Sequence, residues 1–416
     1  MKIKYLIQAP LLCLLAFTTT ASDLTETQKL FASDSSADGR FGTSIAIDGN
    51  LAVIGADKQA SQIGSAYVFT QNNGQWTEQQ QLIPNGANPN DGCGQAVAID
   101  NMTIVIGCPR NRENGAFDIG AVYIFEFNGN QWLQTQKLTG PLARGGGGNT
   151  FGDSFGFSLS LHGNTLAVGA HNQGNNNQPG SVYVYNYDGN HWSQTQRLRA
   201  SDVLNSRNLL GWSVAMQGNR IATGAFGDDE FALNAGAAYV FEFDGMNWQE
   251  TQKILPLAPT RSFGISIGLT DDVLVIGASD DSTIANAAGA AFIYEQDLTN
   301  NWIQTDALFA SDAQALDNFA RTLSIANDNI LVMKPLTNFN NGSGSAYLFK
   351  RYANGWTEAK IVQPLENVTA KFFANSGAVS ENSILIGALF DDNNTIMESG
   401  SVFLFVNDLI FNNSFD

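Results

Sequence analysis

TETQKLFASD occupies residues 25–34, ahead of anything else in the chain that reads as folded. The phrase returns as QTQKL (134–138), QTQRL (194–198) and ETQKI (250–254), and in those places it always closes a longer unit. A second phrase defines that unit and occurs seven times: GSAYVF (64–69), GAVYIF (120–125), GSVYVY (180–185), GAAYVF (236–241), GAAFIY (289–294), GSAYLF (344–349) and GSVFLF (400–405). The leading glycines lie 53 to 60 residues apart. Twelve or thirteen residues after each of the first six comes a tryptophan: Trp76, Trp132, Trp192, Trp248, Trp302 and Trp356. Self-similarity at this period marks a repeat architecture.

Two more strand-like runs precede each phrase. The first reads FGTSIAID (41–48), with counterparts FGFSLSLH (155–162), LGWSVAMQ (210–217) and FGISIGLT (263–270). The second reads LAVIGAD (51–57), TIVIGCP (103–109), TLAVGAH (165–171), RIATGAF (220–226), VLVIGAS (273–279) and ILIGALF (384–390). Tight-hairpin residues such as DGN and HGN join them, and NNGQ, NGNQ, DGNH and DGMN join the third run to the fourth. Each unit is a meander of four antiparallel strands. Alternation puts Ser44 and Ala46 on one face and Ile45 and Ile47 on the other; Tyr67 and Phe69 likewise oppose Ala66 and Val68. A sheet with two apolar faces needs a neighbour on each side, and radial stacking supplies both.

The last unit has three strands, near 370–378, 383–390 and 400–406, and lacks the fourth. TETQKL is a fourth strand without a unit, and Leu24 stands where the tryptophan of other units stands. Placing that strand on the last sheet closes the ring and removes an open edge. The fold class is all-β, a seven-bladed β-propeller of four-stranded antiparallel blades, with the N-terminal strand completing the last blade.

Lys2 and Lys4, an apolar run to Phe17 and small residues up to Ser22 have the layout of a cleaved signal peptide over 1–22. The propeller then spans 23–407, and DLIFNNSFD leaves a short tail at 408–416. Export to a secreted, periplasmic or cell-surface location follows. The chain carries 39 acidic against 21 basic residues, net charge −18, which argues against nucleic acid and anionic membranes as partners. No later run is long enough to span a bilayer. Cys93 takes the position of Phe41 and Cys108 that of Ala56. Counting from the turn at Asp100-Asn101 makes them diagonal neighbours on one face, so a disulfide within blade two is expected in an oxidising compartment.

The units resemble the FG-GAP repeats of the integrin α-subunit propeller and its bacterial secreted relatives. The residues that carry this are Phe41-Gly42, Phe155-Gly156 and Phe263-Gly264, with Gly55-Ala56, Gly107-Cys108-Pro109, Gly169-Ala170, Gly224-Ala225 and Gly277-Ala278. The resemblance implies extracellular binding or cell adhesion, often with calcium in an Asp-rich loop between the first two strands. IDGN (47–50) is too short for a DxDxDG cage, so no cofactor is firmly implied and no calcium site is carried over. Blades six and seven depart from the pattern, with Phe319-Ala320 and Phe373-Ala374 in place of Phe-Gly and Met333-Lys334-Pro335 in place of Gly-Ala-Pro.

Long connections between the second and third strands, and between blades, share one rim. Recurrent acids mark it: Asp34, Asp202 and Asp312 in Ala-Ser-Asp; Asp38, Asp91, Asp153 and Asp317 before inner strands; Asp228-Asp229, Asp280-Asp281 and Asp391-Asp392 after second strands. Such aspartates either cap turns through backbone groups or form a ligand or cation surface. His162, His171 and His191 fall in separate loops and strand ends and form no catalytic pattern. The expected function is an exported, non-catalytic binding module for an extracellular protein or glycan, using the long-loop rim. The alternative is a secreted polysaccharide lyase or glycosidase using rim carboxylates.

Overall fold

The computed structural model describes residues 24–113, 117–140, 152–171, 179–202, 208–335, 344–365, 371–393 and 395–406. Residues 1–22, read as a signal peptide, and the 408–416 tail lie outside them. The first blade is built from β2 (Phe41–Asp48), β3 (Leu51–Ala56), β4 (Ser65–Asn72) and β5 (Gln75–Leu82), hydrogen-bonded in that order. Six more antiparallel sheets repeat the plan, with inner strands at Ala96–Asp100, Ser158–His162, Ser213–Gln217, Phe263–Leu269, Thr322–Ala326 and Phe373–Val379. Ahead of them all, β1 (Thr25–Leu30) joins the last sheet: Leu30 pairs with Val402, Lys29 with Phe403 and Gln28 with Leu404. Among the described residues, no helix is long and apolar enough to cross a membrane.

The apolar cores lie between blades. Tyr67 and Phe69 pack with Leu385, Val402 and Leu404 of blade seven, while Ala66 and Val68 of the same strand pack with Tyr123 and Phe125 of blade two. Large side chains of one sheet thus fill the space left by small ones on the next. Each buried aromatic or aliphatic side chain contributes roughly 1.5–3 kcal/mol. A single blade, holding only half of each core, keeps none of this alone.

Polar clamps fix the register of the seams. At the outer edge the glutamine of the recurring TQKL phrase grips the backbone of the next blade's tryptophan. Gln136 Nε2 donates to Trp192 O at 2.8 Å, and its Oε1 accepts from Trp192 N at 2.8 Å. Gln80–Trp132, Gln196–Trp248 and Gln252–Trp302 repeat the pair. At the closure, Gln28 makes it with Trp76 at 2.8 and 2.9 Å, so the strand that completes blade seven also locks blade one. At the inner edge, Ser44 Oγ donates to Gly94 O and Ser376 Oγ to Gly42 O.

The Phe-Gly motif is a bulge. Phe41 pairs with Ala56 and the next pair is Ser44 with Gly55, so Gly42 and Thr43 have no partner across the ladder. Gly42 has φ +94, and a Cβ there would meet Ser401 O at 2.8 Å in the neighbouring blade. Ala320 and Ala374 hold the same turn with φ 64, a left-handed conformation that costs a non-glycine residue about 1–2 kcal/mol.

This bulge corrects the register expected in blade two. With the two extra residues Gly94 and Gln95, Cys93 lies opposite Cys108 and not diagonal to it. The Cα atoms are 4.0 Å apart and the sulfurs at bonding distance. A second departure is a four-residue helical turn, Gln59–Gln62, where strands alone were expected. Ala60 and Ser61 are left-handed within it. The turn buries Gln59, which donates to Asp34 O at 2.5 Å and accepts from Ser36 Oγ at 2.7 Å.

Candidate functional site

Inner strands leave the blade-to-blade connections and run down to the tight hairpins, so the bulges lie at the long-loop end of the ring axis. The first aromatic residue of each third strand, Tyr67 in blade one, sits near the same rim, one layer out. Two structures meet there: an outer circle of ionic latches and a central cup.

In the outer circle, the tyrosine of the third strand points its hydroxyl at an aspartate. Tyr67 donates to Asp34 at 2.5 Å, Tyr183 to Asp153 at 3.3 Å, Tyr239 to Asp202 at 3.0 Å and Tyr347 to Asp312 at 2.6 Å. Burial, joined by these carboxylates, raises all four phenol pKa values well above the ordinary range. The residue directly across the ladder on the fourth strand is Gln81, Lys137, Arg197, Lys253 or Lys29 in five of the blades. Asp153, Asp202 and Asp391 find their counter-charge there, while Asp34 is met by the neutral amide of Gln81.

Lys253 is the fullest case. Its ammonium bonds Asp202, Asp228 at 3.1 Å and Glu230 at 2.6 Å. Burial opposes its charge, yet the hydrogen bonds to Asp202 and Glu230, with those of Tyr239 and Asp228, raise its pKa above the usual lysine value. Lys29, carried in by the closing strand, holds the fully buried Asp391 at 2.7 Å, and Ser401 Oγ donates to the same carboxylate at 2.5 Å. In blade six Lys334 holds Asp312 at 3.2 Å and Asp317 at 3.3 Å.

The remaining expected acids are also engaged. Asp38 binds Lys58 at 2.9 Å and Arg40 at 3.1 Å; burial pushes its pKa up, but these two cations bring it below the usual carboxylate value. Asp153 lies 3.6 Å from Arg197, and burial still holds its pKa above the ordinary range. Asp229 accepts from Asn234 N at 2.6 Å and Asp281 from Thr283 N at 2.9 Å, each capping its own loop. Asp280 accepts from Ser262 Oγ at 2.5 Å and Asn318 at 3.0 Å. Asp392 takes Glu398 N at 2.8 Å and Lys371 at 3.3 Å. The structure thus groups Asp202 with Asp228, and Asp312 with Asp317, around one lysine each. It leaves the others on separate partners, with Asp34 and Asp38 before blade one, Asp153 before blade three, Asp280 and Asp281 in blade five, and Asp391 and Asp392 in blade seven. Among the described residues no three His, Cys, Asp or Glu side chains form a metal-binding group.

The serine of Ala-Ser-Asp is structural as well. Ser33, Ser201 and Ser311 each bind a glutamate on the outer strand of the following blade, Glu78, Glu250 and Glu358, through backbone N and Oγ at 2.6 to 3.0 Å.

The central cup has a volume of about 430 Å³. Its upper wall takes one residue from each bulge: Thr43, Gln95, Phe157, Trp212, Ile265, Arg321 and Asn375 in order around the ring. Below them Ile45, Val97, Val214, Ile267 and Leu323 form an apolar collar. Blades three to five therefore present an apolar arc, and blades six, seven, one and two a polar one. Among the described residues no carboxylate lines the cup. Trp212 is the one tryptophan outside the repeated position. Its ring packs on Phe157 at 4.6 Å, His171 at 4.8 Å and Phe226 at 4.6 Å. His171 is fully buried behind it, and burial pushes its pKa down to about 4, so the imidazole is neutral.

Sequence reasoning missed these seven residues. The available signal was the out-of-register Trp212 and the variable residue after each Phe-Gly.

The repeat period, the Phe-Gly bulge and the closure together point to one family. The FG-GAP repeat model matches residues 24–69, 76–125, 132–185, 192–241 and 302–349, more than half of the chain. The chain belongs to the FG-GAP repeat family. Each FG-GAP match begins near the tryptophan position of one blade and ends in the third strand of the next, so the sequence repeat straddles two blades. No curated protein matches the chain in sequence. Among solved structures, a chain of the Mitotic Checkpoint Complex is similar at 11% identity over 98% of this chain and 99% of that one, with a TM-score of 0.54. Saccharomyces cerevisiae Sqt1 is similar at 12% identity over 92% and 98%, with a TM-score of 0.49. At such identity the first likeness concerns the fold alone, and the second supports no argument.

Proposed function

We propose that this FG-GAP propeller is an exported, non-catalytic binding module that recognises an extracellular protein or glycan at its long-loop rim. The fold supports a binding module in general, and a β-propeller hosts many functions, so the reading rests on the site. The observation that carries it is the axial cup, which opens on that rim and gathers one side chain from every blade. Concave sites with an apolar wall and a few convergent polar groups are the usual form of ligand pockets. The rim carboxylates that a lyase or glycosidase needs are held instead by Lys29, Lys253, Lys334 and the tyrosine hydroxyls.

Glycan-array and pull-down screens with the purified ring, run beside a polysaccharide depolymerisation assay, test the reading. A ligand footprint on the long-loop rim with no depolymerisation is the expected result. A footprint on the tight-turn rim, or turnover of a polysaccharide, overturns it.

A further inference from the structure

The cup's two arcs specify more than a site. The apolar arc, Phe157, Trp212 and Ile265, offers flat or broad faces from three adjacent blades. Facing it, Arg321 is exposed and its guanidinium has no ion-pair partner among the described residues. The Asn375 side-chain amide likewise makes no hydrogen bond there. Gln95 accepts from Arg110 at 3.2 Å, which leaves its NH2 group to donate. Thr43 Oγ1 is already committed to Arg40 O and Asp57.

We infer that the cup binds a carboxylated sugar ring, a uronic acid residue, with its carboxylate on Arg321, its apolar face on Trp212 and Phe157, and its hydroxyls on Asn375 and Gln95. This deepens, and rests on, the reading of the rim as a binding face.

Three properties select that chemistry. A planar guanidinium with free donors matches a carboxylate in a two-point contact. With no acid among the described lining residues, a cationic ligand gains nothing, while an anion meets the one charge they present, Arg321. The two amides of the polar arc, Asn375 and Gln95, decide between a sugar acid and a plain aromatic carboxylate. A ligand with one polar group leaves those amides desolvated and unpaired, and such mismatches are strongly selected against. The volume of about 430 Å³ lies within the range of small-ligand pockets. The net charge of −18 does not forbid an anion, because the rim acids are paired and salt screens charges beyond about 8 Å.

The test uses the full mature chain with galacturonate, glucuronate and their short oligomers, with glucose and galactose as neutral controls and benzoate as the aromatic control. Calorimetry reads affinity and tryptophan emission reads the cup. Uronate binding that perturbs emission, weakens at least tenfold in Arg321→Gln and weakens with added salt is the expected result. Asn375→Ala should lower affinity for uronate more than for benzoate. Arg321 is exposed, so the Gln variant should melt as the parent does, and Trp212→Leu is used only if it does. Equal affinity for uronate and neutral sugar, tighter benzoate than uronate, or an unaffected Arg321→Gln variant each overturn the inference. If a screened protein or glycan binds the rim and survives both cup substitutions, the inference fails while the rim reading stands. If neither uronates nor screened ligands bind the long-loop rim, both fail.

Discussion

Blades four and five stand side by side and are built from the same four-strand plan, yet their rims differ in one coherent way. Blade four carries Tyr239, Asp202 and Lys253 as a connected set. At the same places blade five has Phe292, Ala258 and Ala307, so hydroxyl, carboxylate and ammonium are absent together. Blade six shows the same rule from another side. Its outer strand offers Ile361 across from Tyr347, and the cation comes instead from Lys334 on the second strand, where five blades have the alanine of Gly-Ala and blade two has Cys108. Between blades four and five, acid and base are kept or lost together. These aspartates are therefore part of how blades hold their loops, and the variable residues after each Phe-Gly are where binding chemistry is free to change.

The largest test of this contrast is deletion of residues 23–32. It removes a whole strand, the Gln28–Trp76 clamp and Lys29, leaving Asp391 buried without its cation. The expected loss is on the order of 5 kcal/mol or more, since a buried charge is stranded and two seams open. Thermal melting beside the chain that starts at Asp23 checks it; equal melting points break the closure account.

Blade two keeps Tyr123 and Lys137 but lacks the aspartate, and its inner end is stapled by cysteines in place of the Phe41–Ala56 pair. Replacing Cys93 and Cys108 by serine should cost about 3 kcal/mol by the loop-closure argument for a separation of 15 residues. The bond itself is checked by thiol titration of the denatured, unreduced chain. Two free thiols would remove the staple from the comparison.

Lys253→Met should cost about 2 kcal/mol, discounted because Asp202 and Glu230 are partly exposed, whereas Ala307→Met in blade five should change stability by less than ~0.5 kcal/mol. Burial raises the Asp202 pKa, but Lys253 and Tyr239 more than offset it and leave it below the ordinary value. Its contribution is therefore present above the unfolded aspartate pKa, near 4, and lost as pH falls through the lowered folded value. Denaturant midpoints across pH should show the gap between parent and variant closing in acid. A gap that persists there contradicts the ionic account.

A smaller effect than that of Lys253→Met is expected from Phe292→Tyr, about 1 kcal/mol destabilising, because the new hydroxyl finds no counterpart of Asp202 or Lys253. Adding Ala258→Asp and Ala307→Lys should recover it. If the single variant is neutral and the triple no better, the three residues are not a unit.

The architecture was legible because its signals are long-range copies of one another. TETQKL without a unit gave the closure, and the large-small alternation of GSAYVF gave packing to both neighbours. The cysteine register was not legible, since turn counting cannot see a two-residue bulge at Gly94-Gln95. Nor were the aspartates' partners, which lie as far off in the chain as Lys253 from Asp202. The cup was least visible. It takes one residue per blade, so no local pattern exists until the ring has closed, and its traces were Trp212 and the variable residue after each Phe-Gly.

The pairing of Thr25 with Val406 and of Leu30 with Val402 has a mechanical consequence. Both chain ends leave the seam from the same end of the ladder. A pull on the two termini loads those hydrogen bonds one at a time and peels β1 away like a zip. A pull between one terminus and a point on blade four instead loads many bonds across several seams at once. Single-molecule stretching with handles at the two termini should open at far lower force than with one handle moved to the Asn219 turn, and equal forces would refute this. A ring made resistant to heat by joining its ends is soft along the one direction in which those ends are drawn apart.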